Sequence, residues 1–188
     1  RELGIAAGVP VVGFVGRLTQ IKQPERFIDV AIELSRDHPD AIFVIAGDGE
    51  LMDSVRSRAL PLGSRAMFLG WRRDVETVYR ACDLLMITSD NEGMPVSLIA
   101  ASSVGTPCVT TRVGSAPEVV LHGDTGFVTE PDVGELARAA ARLLDDPELR
   151  CTMGIAAGEH AARRFGAPRL VADIAGLYER IVSERGLV

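Results

Sequence analysis

Six apolar runs of strand length, Val9–Val15, Ala41–Ala46, Ala66–Leu69, Asp83–Thr88, Pro107–Thr110 and Gly126–Val128, each end in a polar turn that usually leads into a helical pattern. Runs that are apolar throughout, not at alternate positions, describe strands buried on both faces, so helices must cover both. The first helix is expected from Pro24 to about Arg36: Phe27, Val30, Ala31 and Leu34 share one side, the opposite side is charged, and His38-Pro39 ends it. Others are expected from near Glu50 to Ala59, over Val75–Ala81, and from Pro95 to a stop at Gly105. After Pro131 the chain reads as helix alone, in segments Val133–Leu144, Glu148–Phe165 and Pro168–Val182, the first two split at Asp145-Asp146-Pro147. The predicted fold is α/β, a doubly wound, six-stranded, parallel, Rossmann-like sheet with extra C-terminal helices. The 188 residues suit one such domain, 1–188, with a core of ordinary size.

In such sheets ligands collect beyond the carboxyl ends of the strands. After the fourth apolar run stands Glu92-Gly93-Met94-Pro95-Val96, an acid followed by bare backbone and a helix start, where Pro95 suits the first turn. Unpartnered helix amides and the positive end of the helix dipole would face whatever Glu92 holds. After the first run, Gly13-Phe14-Val15-Gly16 turns toward Arg17 and Lys22, a forked donor and a point charge fit for a diphosphate. Gly47 in Gly47-Asp48-Gly49 and Trp71 also follow strand ends, so they can converge there. By itself Gly47-Asp48-Gly49 reads as a turn and helix cap, and Trp71 fits either the core or a base pocket. Arg72, Arg73 and Asp74 read as a solvated turn that starts a helix.

Other chemistries lack their residues. The spacing G-x-G-x-x-G is absent, as are G-x-x-x-x-G-K-[ST] and G-x-S-x-G, and Glu92 has no carboxylate partner of the glycosidase type. A net charge of −6 argues against a nucleic-acid binder held by phosphate neutralisation. His38, His122 and His160 stand isolated, so no metal is expected. Cys82, Cys108 and Cys151, odd in number and without metal spacing, are expected to be reduced thiols in the cytoplasm. No run approaches the roughly 20 apolar residues of a membrane span.

Together the motifs V-G-F-V-G-R-L-x-x-x-K, I-A-G-D-G, F-L-G-W-x-x-D-x-x-x-x-Y-x-x-C-D, S-D-N-E-G-M-P-V-S-L-I, G-T-P-x-V and G-S-A-P-E-V-V-x-x-G-x-T-G resemble a known domain. It is the C-terminal nucleotide-sugar-binding domain of retaining glycosyltransferases of family four, group 1, one half of a GT-B fold. The resemblance covers nearly the whole chain. It implies that Gly16, Arg17 and Lys22 hold the donor diphosphate, that Glu92 holds sugar hydroxyls, and that the backbone of Gly93, Met94, Pro95 and Val96 meets phosphate and sugar. Trp71 and Arg72 would border the base, and Gly47 joins the binding set. Arg17, Lys22 and Glu92 carry the catalytic roles, without metal or cofactor, the nucleotide sugar being the substrate.

The non-Met start fits a segment of a longer chain whose preceding, acceptor-binding domain is absent. The segment alone would then bind donor yet transfer little, and any membrane contact would be peripheral, through that missing domain. Polysaccharide or glycoconjugate synthesis is the implied setting. One position departs from the family: it usually carries a second glutamate eight residues after the first, accepting from the ribose, and here Ala100 stands there. The competing readings are a degenerate module that binds without catalysing and a nucleotide-sugar epimerase of similar fold.

Overall fold

In the computed structural model, which describes residues 3–185, the strands are β1 (Val11–Val15), β2 (Ile42–Ala46), β3 (Ala66–Gly70), β4 (Leu84–Ile87), β5 (Cys108–Thr111) and β6 (Gly126–Thr129). They stand in the order β3-β2-β1-β4-β5-β6, every pair parallel. Successive side chains point to opposite faces, which explains why the runs are apolar throughout. Val12, Phe14, Phe43, Ile45, Leu84 and Met86 belong to one buried cluster, and Val11, Val15, Val44, Ala46, Leu85 and Ile87 to another.

Helices cover both. On the first face α1 (Pro24–Leu34) contributes Phe27 and Leu34, and α6 (Val133–Asp145) contributes Leu136 and Leu143. The Phe27 ring bridges strands and helix, its centroid 5.4 Å from that of Phe14 and 6.5 Å from that of Phe43. On the second face α3 (Val75–Ala81) brings Val78, and α4 (Val96–Ser103) brings Leu98 and Ala101. The expected α3 is reproduced to the residue, and α2 (Met52–Arg58) lies inside its expected span. Pro95 sits one position earlier than expected, as the residue before the first turn of α4.

Three short elements have no sequence counterpart above: α5 (Ala116–Val119) and two 3-10 turns at Gln20–Lys22 and Leu60–Arg65. Each is too short to display a helical period. The Asp145-Asp146-Pro147 break is real, since Asp146 accepts from the Leu149 amide at 2.9 Å and starts α7 (Pro147–Phe165). The last helix, α8 (Ala167–Glu184), buries none of its residues and exposes Leu170, Val171, Ile174, Leu177, Tyr178 and Ile181. Among the described residues no helix is long and apolar enough to cross a membrane.

None of the three cysteines is in a disulfide, Cys82 and Cys108 being buried and Cys151 exposed. Burial pushes the Cys108 thiol up to about 12, against a smaller lowering by Ser102, and also raises the Tyr79 phenol to about 12. A thiol near 12 in the folded chain and about 8.5 in the unfolded one keeps a proton that unfolding releases, so its contribution is complete below about pH 8.5 and lost as pH rises toward 12. The urea midpoint is therefore expected to fall as pH is raised from about 8.5 to 10.5, the Cys108 part amounting to at most about 1.4 kcal/mol per pH unit. Cys108→Ala is expected to flatten that slope; parallel slopes would assign the loss to other groups.

Candidate functional site

The strand order reverses at β1, which pairs with β2 on one side and β4 on the other. Loops leaving these two neighbours diverge, and a cleft of about 330 Å³ opens between them at the carboxyl ends. Gly16, Arg17 and Lys22 line it from the β1 side, and Glu92, Met94, Pro95 and Val96 from the β4 side. Lys22 and Glu92, 70 positions apart, meet: the ammonium Nζ lies 2.7 Å from each carboxylate oxygen. Ser89 Oγ donates to Oε1 of the same carboxylate at 2.6 Å.

That pair is well shielded, with the Glu92 side chain 4% exposed and that of Lys22 25%. Sequence reading gave Lys22 and Glu92 separate duties, whereas in the structure each neutralises the other. Arg17 is different. It is exposed at the cleft and, among the described residues, its guanidinium has no hydrogen bond or ion pair. No side chain caps the N-terminus of α4, and Met94 and Val96 leave apolar surface open at the rim. A free guanidinium and an uncapped helix start suit an anion, while a hydrogen-bonded carboxylate beside them suits hydroxyls.

Close backbone approaches fix the two loops. A Cβ on Gly47 would overlap the Gly16 carbonyl, while Gly16 donates to Ala46 O at 3.0 Å and Gly47 to Gly70 O at 2.8 Å. Gly47 thus sets the shape of the β1 loop from behind and does not line the cleft. Under Glu92 lies Gly114, at φ +48, whose Cβ would overlap the Glu92 carbonyl. Gly114 and Ser89 are site residues that sequence reading left without a role. Each opens one of the quoted motifs, S-D-N-E-G and G-S-A-P-E, and that was the available signal for both.

Trp71 is 70% exposed, which excludes the core reading, and it stands beyond β3, two strands from β1 and outside the cleft lining. Arg72 is paired with Asp74, its Nε 2.9 Å from Oδ1, and that bond raises the guanidinium and holds the Asp74 carboxyl low. Gly93 does not line the cleft, and an added Cβ there would meet nothing within 4 Å. Asp48 caps no helix; its side chain accepts from the neighbouring Gly49 amide. Ala100 packs partly buried against the second-face cluster. A larger depression, about 720 Å³, runs along α3, but Arg80 there is already paired with Glu76, and the reversal of strand order favours the smaller cleft as the site. Among the described residues no group of His, Cys, Asp and Glu is arranged to hold a metal ion.

Residues 1–160 match the family model described as glycosyl transferases group 1. The D-inositol 3-phosphate glycosyltransferase of Corynebacterium efficiens is 36% identical over 189 residues, covering 95% of this chain and 44% of the relative. Among solved structures, Anabaena Alr3699/HepE in complex with UDP and glucose superposes with a TM-score of 0.87 at 28% identity, over 95% of this chain and 50% of that one. The C-terminal domain of LpcC, a glycosyl transferase group 1 family protein from Francisella tularensis, gives 0.77 at 21% identity, over 84% of this chain and 87% of that one. The chain spans a little under half the length of the Corynebacterium relative.

The backing of Glu92 by Gly114 is testable. Gly114→Ala adds both a left-handed strain and a backbone overlap, and is expected to lower stability by about 2–4 kcal/mol in denaturant titrations. Gly123, at φ +84 with nothing near its Cβ, is the control that carries strain alone. Equal losses for Gly114→Ala and Gly123→Ala would mean that the Glu92 loop is not held by this contact.

Proposed function

The chain belongs to the glycosyl transferases group 1 family, and on that premise we propose that residues 1–188 form the donor-binding domain of a cytoplasmic retaining glycosyltransferase. The observation that carries this reading is the cleft at the strand reversal, where Arg17, Lys22, Glu92 and the start of α4 converge. UDP and glucose in the HepE complex support a nucleoside-diphosphate sugar as the ligand class. The relatives' greater length and the uncovered apolar stripe of α8 support a further domain in the same polypeptide, which would bring the acceptor.

Arg17 and the α4 amides would meet the diphosphate first, since neither is committed elsewhere. Lys22 would then turn from Glu92 toward phosphate, and the released carboxylate would accept from sugar hydroxyls. As the sugar–phosphate bond breaks, negative charge grows on the departing diphosphate, where both cations stabilise it more than in the ground state. Acceptor attack on the face that the diphosphate leaves gives retention. No metal is required by this scheme.

Calorimetric titration with UDP-, GDP- and ADP-sugars is expected to show binding of at least one, while the chain alone transfers no sugar. Lys22→Ala would strand a buried carboxylate, at a cost of several kcal/mol, so the cleaner change is Lys22→Gln. Arg17→Ala together with Lys22→Gln is expected to weaken the bound nucleotide at least tenfold, about 1.4 kcal/mol. Unchanged affinity would remove the diphosphate from this cleft.

A second reading, a module that binds without catalysing, is favoured by Ala100. Replacing that methyl by a carboxylate is expected to restore a ribose contact. Ala100→Glu should tighten a ribonucleoside diphosphate by roughly five- to a hundredfold, about 1–3 kcal/mol, and its 2′-deoxy analogue much less. A general charge effect would weaken both alike. No gain for the ribo form would show that this turn of α4 does not face the ribose.

A further inference from the structure

Lys22 is the only lysine in the sequence, and its backbone is fastened to the loop that carries Glu92. Three consecutive carbonyls accept from that loop. The Asp90 amide donates to Ile21 O at 2.9 Å, and the Thr88 hydroxyl lies 2.8 Å from Gln23 O and 3.3 Å from Lys22 O. Side chains repeat the fastening in the other direction. The Asp90 carboxylate accepts from Gln23 Nε2 at 2.6 Å and from one Arg26 nitrogen at 2.7 Å, while the other Arg26 nitrogen donates to Thr88 O at 2.6 Å.

None of these four residues lines the cleft. Gln23 stands at φ 48, ψ 51 and, among the described residues, is the one non-glycine with positive φ. Such a backbone persists only where its surroundings over-determine it, and here it aims Lys22 inward while starting α1 at Pro24.

We propose that Gln23, Arg26 and Asp90 are positioning residues, a latch outside the cleft that fixes where the Lys22 ammonium stands before a diphosphate arrives. The proposal rests on the diphosphate reading of the cleft. A lysine has a flexible four-carbon stem, and ordering it on binding would oppose affinity; a fastened backbone removes part of that opposition in advance. Asp90 keeps 46% of its side chain exposed, and ion pairs so open add little to folding stability. Loss of the latch should therefore show in Lys22 and in ligand affinity far more than in melting temperature.

The unique lysine makes a single-site readout. Acylation of the Lys22 amine by an N-hydroxysuccinimide ester, followed by peptide mass spectrometry, reports how firmly the amine is held, with the N-terminal amine resolved separately. Arg26→Ala and Asp90→Ala are each expected to speed acylation roughly threefold or more and to weaken UDP roughly fivefold, with Arg26→Lys recovering part of both. In a Lys22→Gln background Arg26→Ala should change UDP affinity no further. Acylation at the parent rate in both alanine variants overturns the latch, and so does an Arg26→Ala penalty that survives in the Lys22→Gln background. Faster acylation in a chain that binds no UDP, GDP or ADP supports the latch and removes the diphosphate reading instead. Should the alanine variants fail to fold, Asp90→Asn, which keeps an acceptor for Gln23 and drops the charge opposite Arg26, decides by the same measurements.

Discussion

A parallel sheet buried on both faces leaves little but its strand ends to a ligand, and this constraint organises the molecule. Val12 and Phe14 face one helical layer, Val11 and Val15 the other, so β1 has no free side. Only where β1 is flanked by β2 and β4 do neighbouring loops part. The cleft is thus a consequence of strand order. Arg17, Lys22 and Glu92 meet at one cleft because the strands that precede them are apolar enough to be drawn into the center of the sheet, which delivers the polar residues that follow to one edge.

The Lys22–Glu92 pair has its own energetics. Two charges taken from water lose hydration worth several kcal/mol each, and their attraction offsets this only with good geometry and further hydrogen bonds. Both oxygens at 2.7 Å and the third bond from Ser89 meet that condition. The pair also leaves Arg17 as the uncompensated charge among the three at the cleft. An arriving anion therefore meets one uncommitted cation and a helix terminus, and Lys22 is gained only by releasing Glu92. In the proposed reaction that release is useful, because it frees the carboxylate when a sugar is present to use it.

Much of this was legible in the sequence and some was not, for physical reasons. The six strands and α3 declare themselves because burial on both faces demands uninterrupted apolar runs and an amphipathic helix displays its period. Four residues of α5 contain about one turn and no period to read. The ion pair was hidden differently: Lys22 and Glu92 were each singled out, but their contact depends on β4 lying beside β1, an order that local pattern does not encode. Trp71 remained open between the core and a base pocket because a residue just past a strand end is no longer bound by the strand's alternation; the chain leaves it 70% exposed.

The choice of lysine at position 22 follows from the same geometry. Every other basic side chain among Lys and Arg in this sequence is arginine, so a guanidinium would be the unremarked choice here too. An arginine fork grips a carboxylate through two parallel bonds in one plane and loses both when it leaves. An ammonium is a compact charge with three donors in no fixed plane. It sits between the two Glu92 oxygens, and in the proposed exchange it would leave them for a phosphate without having to realign a plane. With its backbone fastened through Thr88 and Asp90, only the stem has to move. A residue that, in the proposed reaction, exchanges partners within a narrow cleft is better served by a point charge than by a fork.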